Sequence, residues 1–212
     1  MIDLMGKPRR AHLQMLRSFT WADLFTFGNA SCGTVSVFLC LYYLTEGQRG
    51  FLWAIFGLLP LAAVFDGLDG YVARRWDQRS PLGTELDSLA DIISFGVAPA
   101  VLGFSLGLRG FWDVMVLTYY VGCGISRLAR YNVTHAALED ATGQVKYYEG
   151  IPIPSNLFIV ILLGIALALG RIDEAVWFGA SQLGWGVLHP LTLIYALSGT
   201  AMVSSTLRVP KL

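Results

Sequence analysis

Long apolar runs, separated by short polar breaks marked with glycine or proline, dominate this chain. A bilayer core about 30 Å thick is crossed by about 20 mostly apolar helical residues. Six runs approach that length: 22–44, 51–72, 86–106, 111–128, 153–169 and 188–205. The last has a blurred start, because 175–186 is also apolar and reads either as a re-entrant piece or as an earlier beginning of the same helix. Before the first run, a polar and basic stretch carries Leu13, Met15, Leu16 and Phe19 at spacings suited to a short helix lying on the membrane surface. It lacks the form of a cleavable signal, so the mature chain is expected to begin there. The pattern predicts an all-α polytopic membrane protein: one domain over 1–212, with an amphipathic surface helix at 1–21 and a six-helix bundle at 22–208. The longest polar connection, 134–150, reads as a solvated loop. No repeat of fixed period and no low-complexity tract interrupts the pattern.

Composition strengthens this reading. Hydrophobic residues make up 55% of the chain, charged residues 14%, and mean hydropathy is +0.57, whereas a soluble domain carries about 25% charged residues. Fifteen basic residues balance fifteen acidic ones, so no basic field suits nucleic acid and no acidic excess predicts disorder. The distribution of the basic residues carries the information. Lys7, Arg9, Arg10, Arg17, Arg74, Arg75, Arg79, Arg127, Arg130, Lys146, Arg208 and Lys211 fall on one side of the predicted spans, and only Arg49, Arg109 and Arg171 on the other. The excess of Lys and Arg on cytoplasmic loops then predicts an integral protein of the cell (inner) membrane with both termini in the cytoplasm. Cys32, Cys40 and Cys123 lie in apolar runs without a CxxC pair and read as small packing residues.

The stretch FDGLDGYVARRWDQRSPLGTELDSLADIISF (65–95) puts Asp66, Asp69, Asp87 and Asp91 inside or at the ends of two apolar helices. Each such charge costs at least a few kcal/mol at bilayer depth. Asp66 and Asp69 are three residues apart and share a helix face; Asp87 and Asp91 are four apart and share another. Ser80 followed by Pro81 marks the turn as an N-cap with proline at the first helical position. The pairs Asp66/Asp91 and Asp69/Asp87 are both centred near residue 78, so an antiparallel hairpin brings all four carboxylates to one level. They cannot all stay ionised without cations, and all-oxygen ligation argues for Mg²⁺, Mn²⁺ or Ca²⁺, with donors enough for two ions. Ordinary pairing with Arg74, Arg75 or Arg79 is the plainer alternative, and it suits the turn acids Asp77 and Glu85 better than these four. Gly67, Gly70, Gly83 and Ala73 leave the same faces without bulk. That suits either a close-approaching phosphate or simple helix packing. Arg74, one turn after Gly70, is a bidentate phosphate donor beside the acids.

These residues compose Asp66-x-x-Asp69-Gly70-x-x-Ala73-Arg74, eight residues, then Gly83-x-x-x-Asp87-x-x-x-Asp91, which resembles the complete signature of the CDP-alcohol phosphotransferases. The resemblance implies six transmembrane helices, a homodimer, and transfer of a phosphatidyl or similar group from a CDP-linked lipid to an alcohol with release of CMP. It also implies that Asp66, Asp69, Asp87 and Asp91 hold two divalent cations, Mg²⁺ or Mn²⁺, with Ca²⁺ as a bound but non-productive ion. Gly70, Ala73 and Gly83 would then accommodate the CDP group, Arg74 and Ser80 would contact the diphosphate, and Asp91 would be the general base. Thr26-x-x-Asn29-x-x-x-Gly33 in the first run resembles the family's second nucleotide-contact stretch, with Asn29 near the CDP group; bonding to a neighbouring helix is the competing role for that asparagine.

Three further stretches, CGISRLARYNV (123–133), EGIPIPSN (149–156) and MVSSTLRVPK (202–211), resemble the branch of the family that makes phosphatidylserine. That branch implies CDP-diacylglycerol and L-serine as substrates, with membrane lipids as the surroundings. Arg127 and Arg130, at the cytoplasmic end of the fourth helix, would receive the serine carboxylate or else anchor the helix at lipid phosphates. Alternatives within the class are glycerol 3-phosphate, inositol or an inositol phosphate as acceptor, and an ether-linked isoprenoid donor. A cation-coupled transporter is the alternative from another class. Six spans without an inverted repeat or a broken mid-bilayer helix argue against it.

Overall fold

The computed structural model describes residues 20–76, 81–139, 147–149, 151–173, 176–204 and 208–210. The surface helix expected at 1–21 and the predicted N-cap Ser80 lie outside the described residues, apart from Thr20 and Trp21. Helix dominates what is described. α1 (Trp21–Glu46) and α2 (Arg49–Arg75) form a tight antiparallel pair. α3 (Pro81–Asp91) continues through a π-helical segment (Ile92–Val97) into α4 (Ala98–Ser105). α5 (Phe111–Glu139) follows, then α6 (Leu157–Ala168) behind the 3-10 turn Ile153–Asn156, and α7 (Leu193–Val203) behind the 3-10 turn Pro190–Thr192. Two short antiparallel ribbons join them: β1 (Tyr147–Glu149) with β4 (Arg208–Pro210), and β2 (Ser181–Leu183) with β3 (Gly186–Leu188).

Among the described residues, three helices are long and apolar enough to cross a membrane: Trp21–Glu46, Arg49–Arg75 and Leu82–Ser105. Ile153–Ala168 and Pro190–Val203 are shorter apolar helices. α5 spans 29 residues but is charged towards both ends, with Asp113 in its first turn and Arg127 and Arg130 further on.

α1 packs through a seam of small and polar residues and turns large apolar side chains outward. The buried stripe of α1 runs Ala22, Thr26, Asn29, Gly33, Ser36, Cys40, Tyr43, while Leu24, Phe27, Phe38, Leu41 and Tyr42 face outward. Steps of four and three keep one seam on the partner helix, and small or polar residues in that seam let membrane helices approach closely. α2 answers with Leu52, Ile55, Leu59 and Ala62. At Gly33 the approach is so close that an added Cβ would clash with Ser94 Oγ and lie 2.8 Å from its Cα. The three cysteines are free and buried, as packing residues should be.

Thr20 opens α1 with a reciprocal cap: its hydroxyl accepts from the Asp23 amide at 3.3 Å, and its own amide donates to Asp23 Oδ2 at 2.7 Å. At the opposite end of the bundle, buried Asp113 clamps the start of α5 to the start of α7. It accepts from Gly110 N (2.8 Å), His189 N (2.8 Å) and Thr192 Oγ1 (2.7 Å), and pairs with His189 Nδ1 at 2.6 Å.

Several expectations need correction. Of the run 175–186, the described residues 176–186 hold neither a re-entrant helix nor an earlier start of the last one and run into the β2–β3 hairpin, tied to α5 by Trp112 Nε1 donating to Leu183 O at 2.9 Å. Positive φ at Phe178, Gly179 and Gly184 breaks any helical continuation there. The fourth helix runs past residue 128 to Glu139, so the expected loop at 134–150 is helix at its start and strand near its end. The sixth run is helical only from Pro190, and the third span carries the π segment where a regular helix was expected.

Candidate active site

The seam of α2 continues past Ala62 at the same spacing, and its next positions are Asp66 and Asp69. Both carboxylates therefore point where the preceding apolar residues point, into the bundle. α3 starts at Pro81 and brings Asp87 to meet them. One carboxylate oxygen from each of Asp66, Asp69 and Asp87 lies within 4.8 Å of the other two. Asp91, one turn further on, is 7% exposed. The convergence across the hairpin expected from the spacing is thus present for Asp66, Asp69 and Asp87.

The donor set suits a hard divalent cation. Asp87 Oδ1 is buried and has no hydrogen-bond partner among the described residues, a costly state for a carboxylate oxygen unless a cation completes it.

The other residues singled out from sequence fall around this cluster unequally. Gly70 and Arg74 come together: a Cβ on Gly70 would sit 3.3 Å from Arg74 Nη1, so the guanidinium folds back over the bare backbone. Ala73 and Gly83 are half-buried on the facing helices, and Arg74 is exposed at the helix end. Gly67, by contrast, has open space around its Cβ position and belongs to the outer face. Asn29 is fully buried, and its Nδ2 donates to Asp91 Oδ1 at 3.1 Å. Arg127 and Arg130 separate: Arg127 is half-buried and Arg130 exposed. Gly124, one turn before Arg127, packs on Ile92 beside Asp91, with an added Cβ only 3.0 Å from Ile92 Cδ1.

Two further residues adjoin the site, Thr26 from the stretch that resembles a nucleotide contact and Asn132, which the sequence did not single out. Thr26 is buried, and its hydroxyl donates to Asp69 Oδ2 at 2.9 Å. Thr26 stands one step before Asn29 in the seam of α1. Asn132 exchanges hydrogen bonds with Ser88 (3.1 and 3.3 Å) and donates to Glu85 Oε2 at 3.3 Å. It locks α5 onto the helix that carries Asp87, while Glu85 stays exposed, as expected of a solvated turn charge.

The π segment completes the local frame. Ser94 Oγ donates to Asn29 O at 2.8 Å, and Tyr120 OH donates to Phe95 O at 2.6 Å. The usual helical donor to Phe95 O would be residue 99, a proline without an N–H, and the tyrosine supplies the missing donor; π turns recur at functional sites.

EGIPIPSN contributes differently. Ser155 bonds back to Pro152 O, while Asn156 is buried against α7, accepting from Ser198 Oγ at 2.5 Å. In the described structure this stretch starts α6 and ties it to the last helix.

Residues 19–197 match the family model described as CDP-alcohol phosphatidyltransferase. The chain is similar to the CDP-diacylglycerol–serine O-phosphatidyltransferase of Saccharomyces cerevisiae, 38% identical over 203 residues, which cover 94% of this chain and 74% of that one. It is also similar to the protein of the same name from Mycobacterium tuberculosis, 39% identical over 155 residues (70% of this chain, 51% of that one). The archaetidylserine synthase of Methanothermobacter thermautotrophicus is 40% identical over 135 residues (62% and 52%). The chain thus matches about half the length of the mycobacterial and archaeal relatives. With the aspartates of its two facing helices converging as the signature requires, and the family model covering most of its length, the chain belongs to the CDP-alcohol phosphatidyltransferase family.

Proposed function

We propose that this protein transfers the phosphatidyl group of CDP-diacylglycerol to L-serine, forming phosphatidylserine and CMP. The convergence of Asp66, Asp69 and Asp87 within 4.8 Å, at the end of two apolar helices, carries the reading: a diphosphate donor with lipid tails needs cation sites beside the bilayer. Asp66, Asp69, Asp87 and Asp91 would hold two divalent cations, Mg²⁺ or Mn²⁺. Bound there, such ions neutralise charge on the phosphoryl oxygens and stabilise CMP as leaving group.

The protein's own groups do the rest. Arg74 takes a diphosphate oxygen, Ser80 assists it, and the small residues Gly70, Ala73 and Gly83 admit the cytidine end. Asn29 steadies Asp91, which accepts the proton of the serine hydroxyl as its oxygen bonds to the lipid-bearing phosphorus and the bond from that phosphorus to the CMP oxygen breaks. Arg127, half-buried, receives the serine carboxylate, with Arg130 at the rim. Serine recurs in the names of the relatives while the lipid differs, diacylglycerol in some and archaetidyl in another. Apolar surroundings discriminate poorly between tails. The protein works as a single membrane domain of six spans, with the site and both termini on the cytoplasmic side of the cell membrane, and as a homodimer.

Purified protein incubated with CDP-diacylglycerol, Mn²⁺ or Mg²⁺ and, separately, serine, glycerol 3-phosphate, inositol or inositol phosphate tests this. Serine-dependent CMP release that chelator abolishes and metal restores is expected. Release with another acceptor only, or full activity in excess chelator, overturns the acceptor or the metal assignment respectively.

A further inference from the structure

We propose that α1 orients the metal-binding carboxylates, with Thr26 and Asn29 as positioning residues and not nucleotide contacts. This inference rests on the reading of the aspartates as cation ligands. α1 supplies none of those aspartates, yet it donates one hydrogen bond to an aspartate of each carboxylate helix. Thr26 Oγ1 reaches Asp69 Oδ2 on α2 at 2.9 Å, and Asn29 Nδ2 reaches Asp91 Oδ1 on α3 at 3.1 Å. Both donors are buried, Thr26 at 5% and Asn29 at 0% exposure. The two residues are successive seam positions of one helix, so a single rigid rod sets both carboxylates.

The rod is itself fixed. Ser94 Oγ holds the Asn29 carbonyl at 2.8 Å, and Gly33 lets α1 press against the Ser94 backbone. A carboxylate with one oxygen engaged by a fixed donor has its rotation about the last side-chain bond restricted and its other oxygen directed to the ion. Outer partners of this kind typically change metal affinity by about 10- to 100-fold when removed. A nucleotide contact would leave metal affinity alone, which makes the two roles separable.

The test titrates Mn²⁺ into purified wild-type, Thr26→Val, Thr26→Ala and Thr26→Ser proteins without substrate, reading free Mn²⁺ by electron paramagnetic resonance. CDP-diacylglycerol binding is then measured at saturating Mn²⁺. Loss of the hydroxyl in Thr26→Val or in the smaller Thr26→Ala should weaken Mn²⁺ binding by about 10- to 100-fold, and Thr26→Ser should restore it. Nucleotide binding at saturating metal should stay within about twofold of wild type. Asn29→Leu gives the same test at Asp91 should the Thr26 variants not remain monodisperse. Wild-type Mn²⁺ affinity in the variants, whether or not nucleotide binding falls, overturns the proposal, as does a Thr26→Ser protein as weak as Thr26→Val. Because the Mn²⁺ titration needs no substrate, a wrong acceptor or donor assignment would not affect it. Absence of Mn²⁺ binding by the wild type would instead refute the underlying metal reading.

Discussion

Asp87 and Asp91 stand one helical turn apart in different surroundings, within a signature that treats four aspartates alike. Asp87 is half-buried in the cluster with Asp66 and Asp69, whereas Asp91 is buried and held by Asn29. If Asp91 is the base, Asp91→Asn should leave binding of CDP-diacylglycerol largely intact while turnover drops by about 10²–10⁴-fold; a binding titration beside a single-turnover assay reads both. Weak binding rescued by extra metal would make Asp91 a ligand only. The two arginines divide similarly by burial. Arg127→Leu should raise the apparent KM for serine by about 10- to 150-fold, the loss of one charge-assisted hydrogen bond of about 1.5–3 kcal/mol, with little change for CDP-diacylglycerol. Arg130→Leu, at an exposed position, should change it less, and steady-state kinetics with each substrate varied in turn checks both variants.

At the level of elements, the site depends on how closely α1 meets the π segment that follows Asp91. Gly33 faces the Ser94 backbone so tightly that a side chain there must displace a main chain that cannot yield by rotation. Gly33→Val should therefore destabilise the fold by about 1–3 kcal/mol through overpacking, read as a lower midpoint of thermal unfolding in detergent. It should also lower activity, since the same displacement moves Asn29 away from Asp91. The structure shows three-and-four steps along α1 and α2, and continuing the α2 seam from Leu52 to Asp69 aims the acids inward. The π segment was not legible. Its sequence IISFGV is an ordinary apolar run, and the extra residue in the turn is stabilised by partners distant in the chain, Tyr120 on α5 and Asn29 on α1. The β2–β3 hairpin escaped for a related reason: apolarity alone does not distinguish a helix from a surface ribbon, and here the positive-φ backbone and the Trp112 bond decide.

Across the whole molecule, the helices alternate direction so that the carboxylate cluster and the Asp113 clamp sit at opposite ends. Arg74 and Arg75 end α2 near the cluster, while Arg49 begins it at the far end, and Arg109 and the hairpin stand with Asp113. If the cluster end is cytoplasmic, a cysteine placed at Arg75 should react with an impermeant maleimide only after the cells are opened. One placed at fully exposed Trp185 should react from outside in intact cells, the buried native cysteines staying silent; the reverse labelling would invert the topology. Membrane character and the shared faces of the aspartate pairs follow from the sequence alone, because hydropathy, charge and three-and-four spacing are local properties that survive in any packing of the helices. Tertiary structure alone decided which side chains hold those aspartates in place, where a helix yields to a π turn, and that Arg127 is half-buried while Arg130 stays exposed. The first two depend on hydrogen bonds between residues 25 to 65 positions apart on separate helices, and spacing along one helix does not name the partner on another.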